Sequence, residues 1–356
     1  MAYYIVFVFS GVLSFIADFK YKKALCIVLA IGLSIFAGTR FGIDSDYYMY
    51  LKSMRYIERD IPDFAGREVP LEWCMFVIPH FFKLFFNNNI EVAKASFLLF
   101  ATLGVSFKIT AIAKYSEFIF LSVLLYIGNL YLMQEMTTIR AGVAAGIFLL
   151  SIKNIEDREY VPFFVKLLLC FFFHSSSILF LLPWLLFTLN VNIKYYYILV
   201  AISIFLLVFN INLLTVLMLD RIFPRIKLYM EMMEWMKEDS VNIFNFKMLF
   251  GIFMLGVFSI FYTKMKNIRF FDLLFKIHII SVSLFLILSV SGAQVFSTRT
   301  FEMYSVIQII LYPMLIHIFP AKLKIVGWII ILIFSCIQVY YLVEVADIFK
   351  EYNSWL

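Results

Sequence analysis

The sequence has 356 residues, of which 63% are hydrophobic and 15% charged, with a net charge of +6 and a mean hydropathy of +0.93. A soluble domain runs at roughly 45–50% apolar and about 25% charged, so a water-soluble globule, a disordered chain, a coiled coil and a disulfide-stapled secreted module are all excluded. The positive charge does not point to nucleic acid, because no basic run carries interleaved aromatics and most lysines fall in short connections, as the positive-inside rule expects.

In chain order, apolar runs fall at 2–17, 24–38, 71–86, 91–113, 118–133, 138–152, 160–173, 175–189, 195–217, 246–263, 273–291, 303–319 and 325–343. Alternating ten-residue strands are absent, and backbone groups in lipid must bond internally. The chain therefore reads as an all-α polytopic membrane protein, one integral membrane domain over 1–356, with about twelve (eleven to thirteen) transmembrane helices at ~20 residues each. The first run is followed by Lys20, Lys22 and Lys23 and at once by another run, without a small-residue cleavage motif. It is predicted to be a retained span and not a signal peptide. Cys26, Cys74, Cys170 and Cys336 sit singly inside apolar runs and read as packing residues. No internal repeat is visible.

The short basic connections at Lys20/Lys22/Lys23, Lys153/Arg158, Lys194, Lys264/Lys266/Arg269 and Lys322/Lys324 should all face the cytoplasm. The last four sets alternate correctly with the runs. The first set does so only if one of the three runs between 39–70 and 134–140 fails to cross. Run 71–86, with Pro79, His80 and Lys83, is the predicted re-entrant segment, a form tolerated where it is buried in protein or lines a wet cavity. This topology puts 39–70 (external loop 1), 134–140, the turn at His174, the loop 218–245 and 292–302 on the outer, periplasmic face. The 218–245 loop is predicted to lie on the interface as one or two amphipathic helices, a lid with Met230, Met233, Trp235 and Met236 apolar and Arg221, Arg225 and Lys227 basic.

Four constellations on that face carry chemistry. After the second run come Arg40, Gly42, Asp44, Asp46, Tyr47 and Tyr48. The plain reading is an interfacial anchor with an Arg40–Asp44 ion pair, and the functional one has Asp46, Tyr47 and Tyr48 meeting a sugar face. Arg140 opens a helix whose first turns are almost all small residues, which let helices approach closely. A snorkelling arginine is the alternative, although a cation at a helix N-terminus opposes the macrodipole. His174 precedes three serines and is the only histidine with polar neighbours in sequence; His80, His278 and His317 read as packing residues. Arg299 and Glu302 stand three apart, so they share one helix face. Arginines at the outer ends of three separate segments, where positive-inside would not put them, suggest planar donor forks for phosphate oxygens at headgroup depth. No phosphate-binding Gly-rich loop, HExxH, GxSxG or paired metal-ligand cluster is present. Asp44-Ser45-Asp46 is the one DxD pattern, and neither a metal nor another cofactor is assigned to it.

The order of these residues resembles the EpsG-like branch of the Wzy-type O-antigen and capsule polymerases. The matching features are Arg40, Asp44 and Tyr48 in an R-x-x-x-D-x-x-x-Y stretch, Glu72 opening the next apolar run, Ile139-Arg140 before an Ala-rich helix, Phe173-His174-Ser175-Ser176, and Arg299 near the start of a late span. The branch often has Gln after the central Arg, where this chain has Ala141. The resemblance covers most of the chain. It implies a metal-independent membrane glycosyltransferase of the bacterial inner membrane, active on the periplasmic face. Such an enzyme transfers a growing glycan from undecaprenyl diphosphate to the nonreducing end of a lipid-linked oligosaccharide repeat unit. Partners implied are that lipid-linked substrate, the bilayer and a chain-length regulator protein. Arg40, Arg140 and Arg299 are then the expected diphosphate ligands, which converge on one cavity. Asp44, Glu72 and His174 are the candidate bases, with Asp44 expected to be made less basic by a helical pairing with Arg40. Readings of other classes are a flippase or transporter for the lipid-linked oligosaccharide, and a membrane O-acyltransferase.

Overall fold

The computed structural model describes residues 1–55, 72–222, 226–227, 230–231, 245–290, 294–346 and 348–356. The remainder of 39–70 and most of 218–245, including Arg225, Met233, Trp235 and Met236, lies outside them, so the predicted amphipathic lid does too. Among the described residues the secondary structure is helical, with one isolated antiparallel bridge between Arg40 and Ser354 and no named strand. Among the described residues four helices are long and apolar enough to cross a membrane, Asn89–Tyr115, Phe271–Leu288, Phe296–Ile318 and Ala321–Val345, and seven shorter helices are also apolar. The chain packs as two units, Met1–Leu181 with Ile309–Leu356, and Leu182–Gln308.

The first unit begins with α1 (Ala2–Phe19), α2 (Lys22–Gly38), the short α3 (Tyr47–Arg55) and α4 (Cys74–Lys83). It continues with α5 (Asn89–Tyr115), α6 (Ile119–Leu125), α7 (Ile139–Glu156) and α8 (Tyr160–Phe173). At 1.5 Å per residue, the ten residues of α4 rise about 15 Å, half of a ~30 Å hydrocarbon layer. Run 71–86, already short at sixteen residues, is thus too short as a helix to cross by itself.

The helix ends sort into two sets. Lys22, Lys23 and Lys114 line one groove between α2 and α5, which puts the start of one beside the end of the other. The Tyr115 hydroxyl donates to the Leu150 carbonyl at 3.2 Å, so the end of α7 and Lys153 join them. The Asp18 carboxylate accepts the N–H groups of Ile119 and Phe120 at 2.9 and 3.0 Å and caps the start of α6. Trp328, in the helix Lys324–Tyr340, packs on Phe118 and Phe120. The basic connections of this unit thus share one end. Arg40, Glu72, Arg140 and His174 occupy the other, and among the described residues from 39 to 138 it is α5 and α6 that run between the ends.

The second unit has a core of Met248, Val282, Phe285, Leu286 and Phe301. The Tyr262 hydroxyl donates to Asp272 at 2.6 Å, and the Lys276 ammonium lies 5.7 Å from the Tyr196 ring centre. Its two basic connections, at Lys194 and at Lys264–Arg269, therefore also lie together. Run 195–217 needs correction as one uninterrupted segment. Its helix, Ile193–Val208, stops where Asn210 takes φ +51°, and the Asn212 side chain caps a new turn at the Leu214 N–H. Asparagine tolerates that left-handed conformation and supplies its own cap.

Candidate functional site

The site is built at the end opposite the lysines, from α2 outward. Thr39 closes α2 with its hydroxyl on the Ile35 carbonyl at 2.8 Å. Gly42 then turns the chain with φ +64°, a conformation that excludes most side chains. This turn, and not the helical path expected from the four-residue spacing, brings Asp44 back onto Arg40, with Nε donating to the carboxylate at 2.9 Å. Arg40 also donates Nη1–H to the Ala37 carbonyl at 3.0 Å and Nη2–H to Met136, and its guanidinium lies 4.9 Å from the Phe97 ring centre. It is fully buried. Burial pushes the Asp44 carboxyl above its usual range, against the opposing pull of Arg40. The direction is opposite to the one expected from the ion pair alone, because desolvation outweighs it. Tyr47 is buried and stacked on Phe97 at 5.0 Å, so its ring packs the interior, whereas Tyr48 is exposed. Asp46 is half-buried, and its N–H donates to Asp44 at 3.2 Å.

A tail from the far end of the chain braces this turn. The N–H of Phe41 donates to the Asn353 carbonyl at 2.9 Å, that of Trp355 to Thr39 at 3.0 Å and that of Lys350 to Ile43 at 2.9 Å. Tyr352 stacks on Phe36 with ring centres 4.0 Å apart.

Beside the braced turn, four elements deliver one polar cluster. Glu72 stands immediately before α4, Arg140 in the first turn of α7 and His174 at the end of α8. One Glu72 oxygen pairs with Arg140, and the other lies 3.1 Å from His174 Nδ1. The Arg140 guanidinium also sits 5.4 Å from the ring centre of Tyr50, on α3, and donates to its hydroxyl. Cys74 Sγ–H donates to the Phe173 carbonyl at 3.3 Å, tying α4 to the end of α8 beside the histidine. The Glu72 side chain is 5% exposed, those of Arg140 and His174 23% and 22%. The carboxylate is thus sealed behind a cation and an imidazole that both reach the surface. It also offsets the unfavourable meeting of Arg140 with the positive end of its own helix.

Sequence reading passed over a third group directly beneath. Lys108, in mid-α5, pairs with Glu135 and donates to the Gly142 carbonyl at 2.8 Å, and the Tyr126 hydroxyl donates to Glu135 at 3.0 Å. Both charged side chains are essentially unexposed. Glu135 and Met136 lie in π-helical turns, Tyr126–Tyr131 and Met133–Thr137, that continue α6; such turns often mark functional sites. The signal available in sequence was a lone lysine inside an apolar run, which demands a partner.

The small residues after Arg140 make the close approach expected of them. A Cβ on Gly142 would lie 2.0 Å from the Gln134 carbonyl oxygen. Gly142→Ala is expected to push α7 off the π-helical turns and lower stability by about 1–3 kcal/mol, read as a fall in the thermal midpoint of the purified protein. Arg299 belongs to the second unit, on the helix Gln294–Tyr304, with its side chain exposed. Among the described residues no three His, Cys, Asp or Glu side chains gather as a metal site. The family model that matches, over residues 23–354, is that of the EpsG family. No curated protein and no solved structure matches the chain.

Proposed function

The chain belongs to the EpsG family of Wzy-like polysaccharide polymerase-type membrane proteins, and from that premise we propose that it extends a glycan held on undecaprenyl diphosphate. The acceptor is the nonreducing end of a second lipid-linked repeat unit, and the active face is the periplasmic one. The observation that carries the reading is the single carboxylate, Glu72, shared between Arg140 and His174.

The chemistry follows from that sharing. Glu72 accepts from His174 Nδ1–H, which makes Nε2 the basic nitrogen of the ring. Nε2 takes the proton of the acceptor hydroxyl as its oxygen bonds to the donor's anomeric carbon. The bond from that carbon to the diphosphate breaks, and the electron pair leaves on the diphosphate. Arg140 stabilises this growing charge with a fixed, planar donor fork. Arg40, fully buried and bonded to Asp44, Ala37 and Met136, shapes the turn. Arg299 is the second unit's candidate for a diphosphate contact, and the exposed Tyr48 with Asp46 is the candidate sugar-facing surface.

The test is a glycan gel from a deletion strain complemented with variants at matched membrane expression. His174→Ala and Glu72→Gln are expected to leave single repeat units on the final lipid, with chain growth down ~10²–10⁴-fold. A ladder of normal length from both variants would remove the base. Loss of even the single repeat would point to a flippase.

A further inference from the structure

The groove between α2 and α5 opens among the lysines, at the end opposite Arg140, and serves none of the steps above. It encloses about 860 Å³, within the ~300–1,000 Å³ range of ligand pockets. Its walls are apolar, with Ile31, Ile35 and Leu98 along its length, and Lys22, Lys23 and Lys114 stand together at one mouth. Among the described residues no acidic side chain lines it. From Lys22 to Ile35 the helical rise is about 20 Å, somewhat more than the ~15 Å depth of one bilayer leaflet. A chain-like apolar ligand from one leaflet fits that length, and three ammonium groups at the mouth call for an anion there.

We propose that this groove is a binding site for an anionic phospholipid, one acyl chain lying along α2 and α5 and the phosphate held by Lys22, Lys23 and Lys114. The three charges come from two helices that antiparallel packing brings together, so the site exists only in the folded protein. Lys22 and Lys23 belong to a basic connection expected to face the cytoplasm, where anionic headgroups attract it, and Lys114 stands beside them. Ser106 and Thr110 of α5 also line the groove, small side chains that leave room for a chain.

The experiment uses the full-length protein, purified in a zwitterionic detergent and titrated with phosphatidylglycerol or phosphatidylcholine, with bound lipids counted by native mass spectrometry. Wild type is expected to take up one phosphatidylglycerol saturably, in preference to phosphatidylcholine. The triple variant Lys22→Gln, Lys23→Gln, Lys114→Gln is expected to weaken that binding tenfold or more. Ser106→Trp, which fills the groove and keeps the charges, should weaken it as well. Lys264→Gln with Lys266→Gln, in the other unit, should leave it unchanged. Equal binding of the two lipids, equal losses in the triple and the control variants, or wild-type binding by Ser106→Trp would each overturn the proposal. Because the readout is lipid binding and not chain growth, the outcome is separate from that of the polymerase reading.

Discussion

Arg140→Lys is expected to stop chain growth while leaving the protein folded. Lysine keeps one positive charge beside Glu72, so the carboxylate retains a partner and the local packing survives. The guanidinium plane is lost, however. That plane meets the Tyr50 ring at 5.4 Å, pairs with Glu72 and keeps further N–H donors for an incoming anion. An ammonium held by Glu72 cannot also present two parallel donors to a diphosphate. Removing one such preorganised donor from a charge-stabilising site typically slows a reaction by ~10²–10³-fold. Polymer length on glycan gels, at matched membrane expression, measures the effect, and near-normal chains would count against a diphosphate role for Arg140. Combining the variant with Glu72→Gln separates the two roles, since coupled residues give losses that do not add.

Glu135→Ala is expected to cause the largest loss of stability in the first unit. It leaves the Lys108 ammonium sealed in protein with the Gly142 carbonyl but without its counter-charge, and it strips the Tyr126 hydroxyl of its acceptor. Breaking a buried pair by removing one partner costs about 3–5 kcal/mol. Removing both charges, as in Lys108→Met with Glu135→Leu, should recover most of that. The thermal midpoint in detergent reports both variants. If the single substitution matches wild type, or the double one is no better than the single, the pair does not carry the stability assigned to it. The double variant also shows what the pair does besides. A stable protein that no longer builds chains would mean that Lys108 and Glu135 set the π-helical turn whose Met136 carbonyl receives Arg40.

Much of this architecture was legible in the sequence because lipid simplifies the problem. Among the described residues every apolar run is largely helical, since a backbone in hydrocarbon has few alternatives. Charge parity required one of three runs not to cross, and length with Pro79, His80 and Lys83 pointed to run 71–86, whose helix α4 is ten residues long; the lysine ends of the first unit lie together as that parity requires. What stayed hidden was local. The break at Asn210 depends on one left-handed residue inside an otherwise continuous apolar run. The direction of the Asp44 shift depends on burial, which a loop sequence does not reveal. Lys108 carried no assignment in the sequence, because its partner Glu135 stands 27 residues on and only the fold brings the two together. At the site, Arg140, Glu72 and His174 were each visible as candidates. Their meeting was not, because it depends on how α3, α4, α7 and α8 end at one place.

The pairing of residues 349–356 with 39–43 has a consequence for biogenesis. Thr39 and Ser354, which bond through their hydroxyls, are 315 residues apart. The tail can reach the Arg40 turn only after every intervening helix has been threaded into the bilayer with the right handedness. An odd number of insertion errors would deliver the tail to the opposite face, and the turn that carries Arg40 and Asp44 would lack its brace. Closing so long a loop adds little entropic cost over closing a shorter one. The brace on the Arg40 turn therefore depends on every helix between residues 43 and 350 being placed correctly.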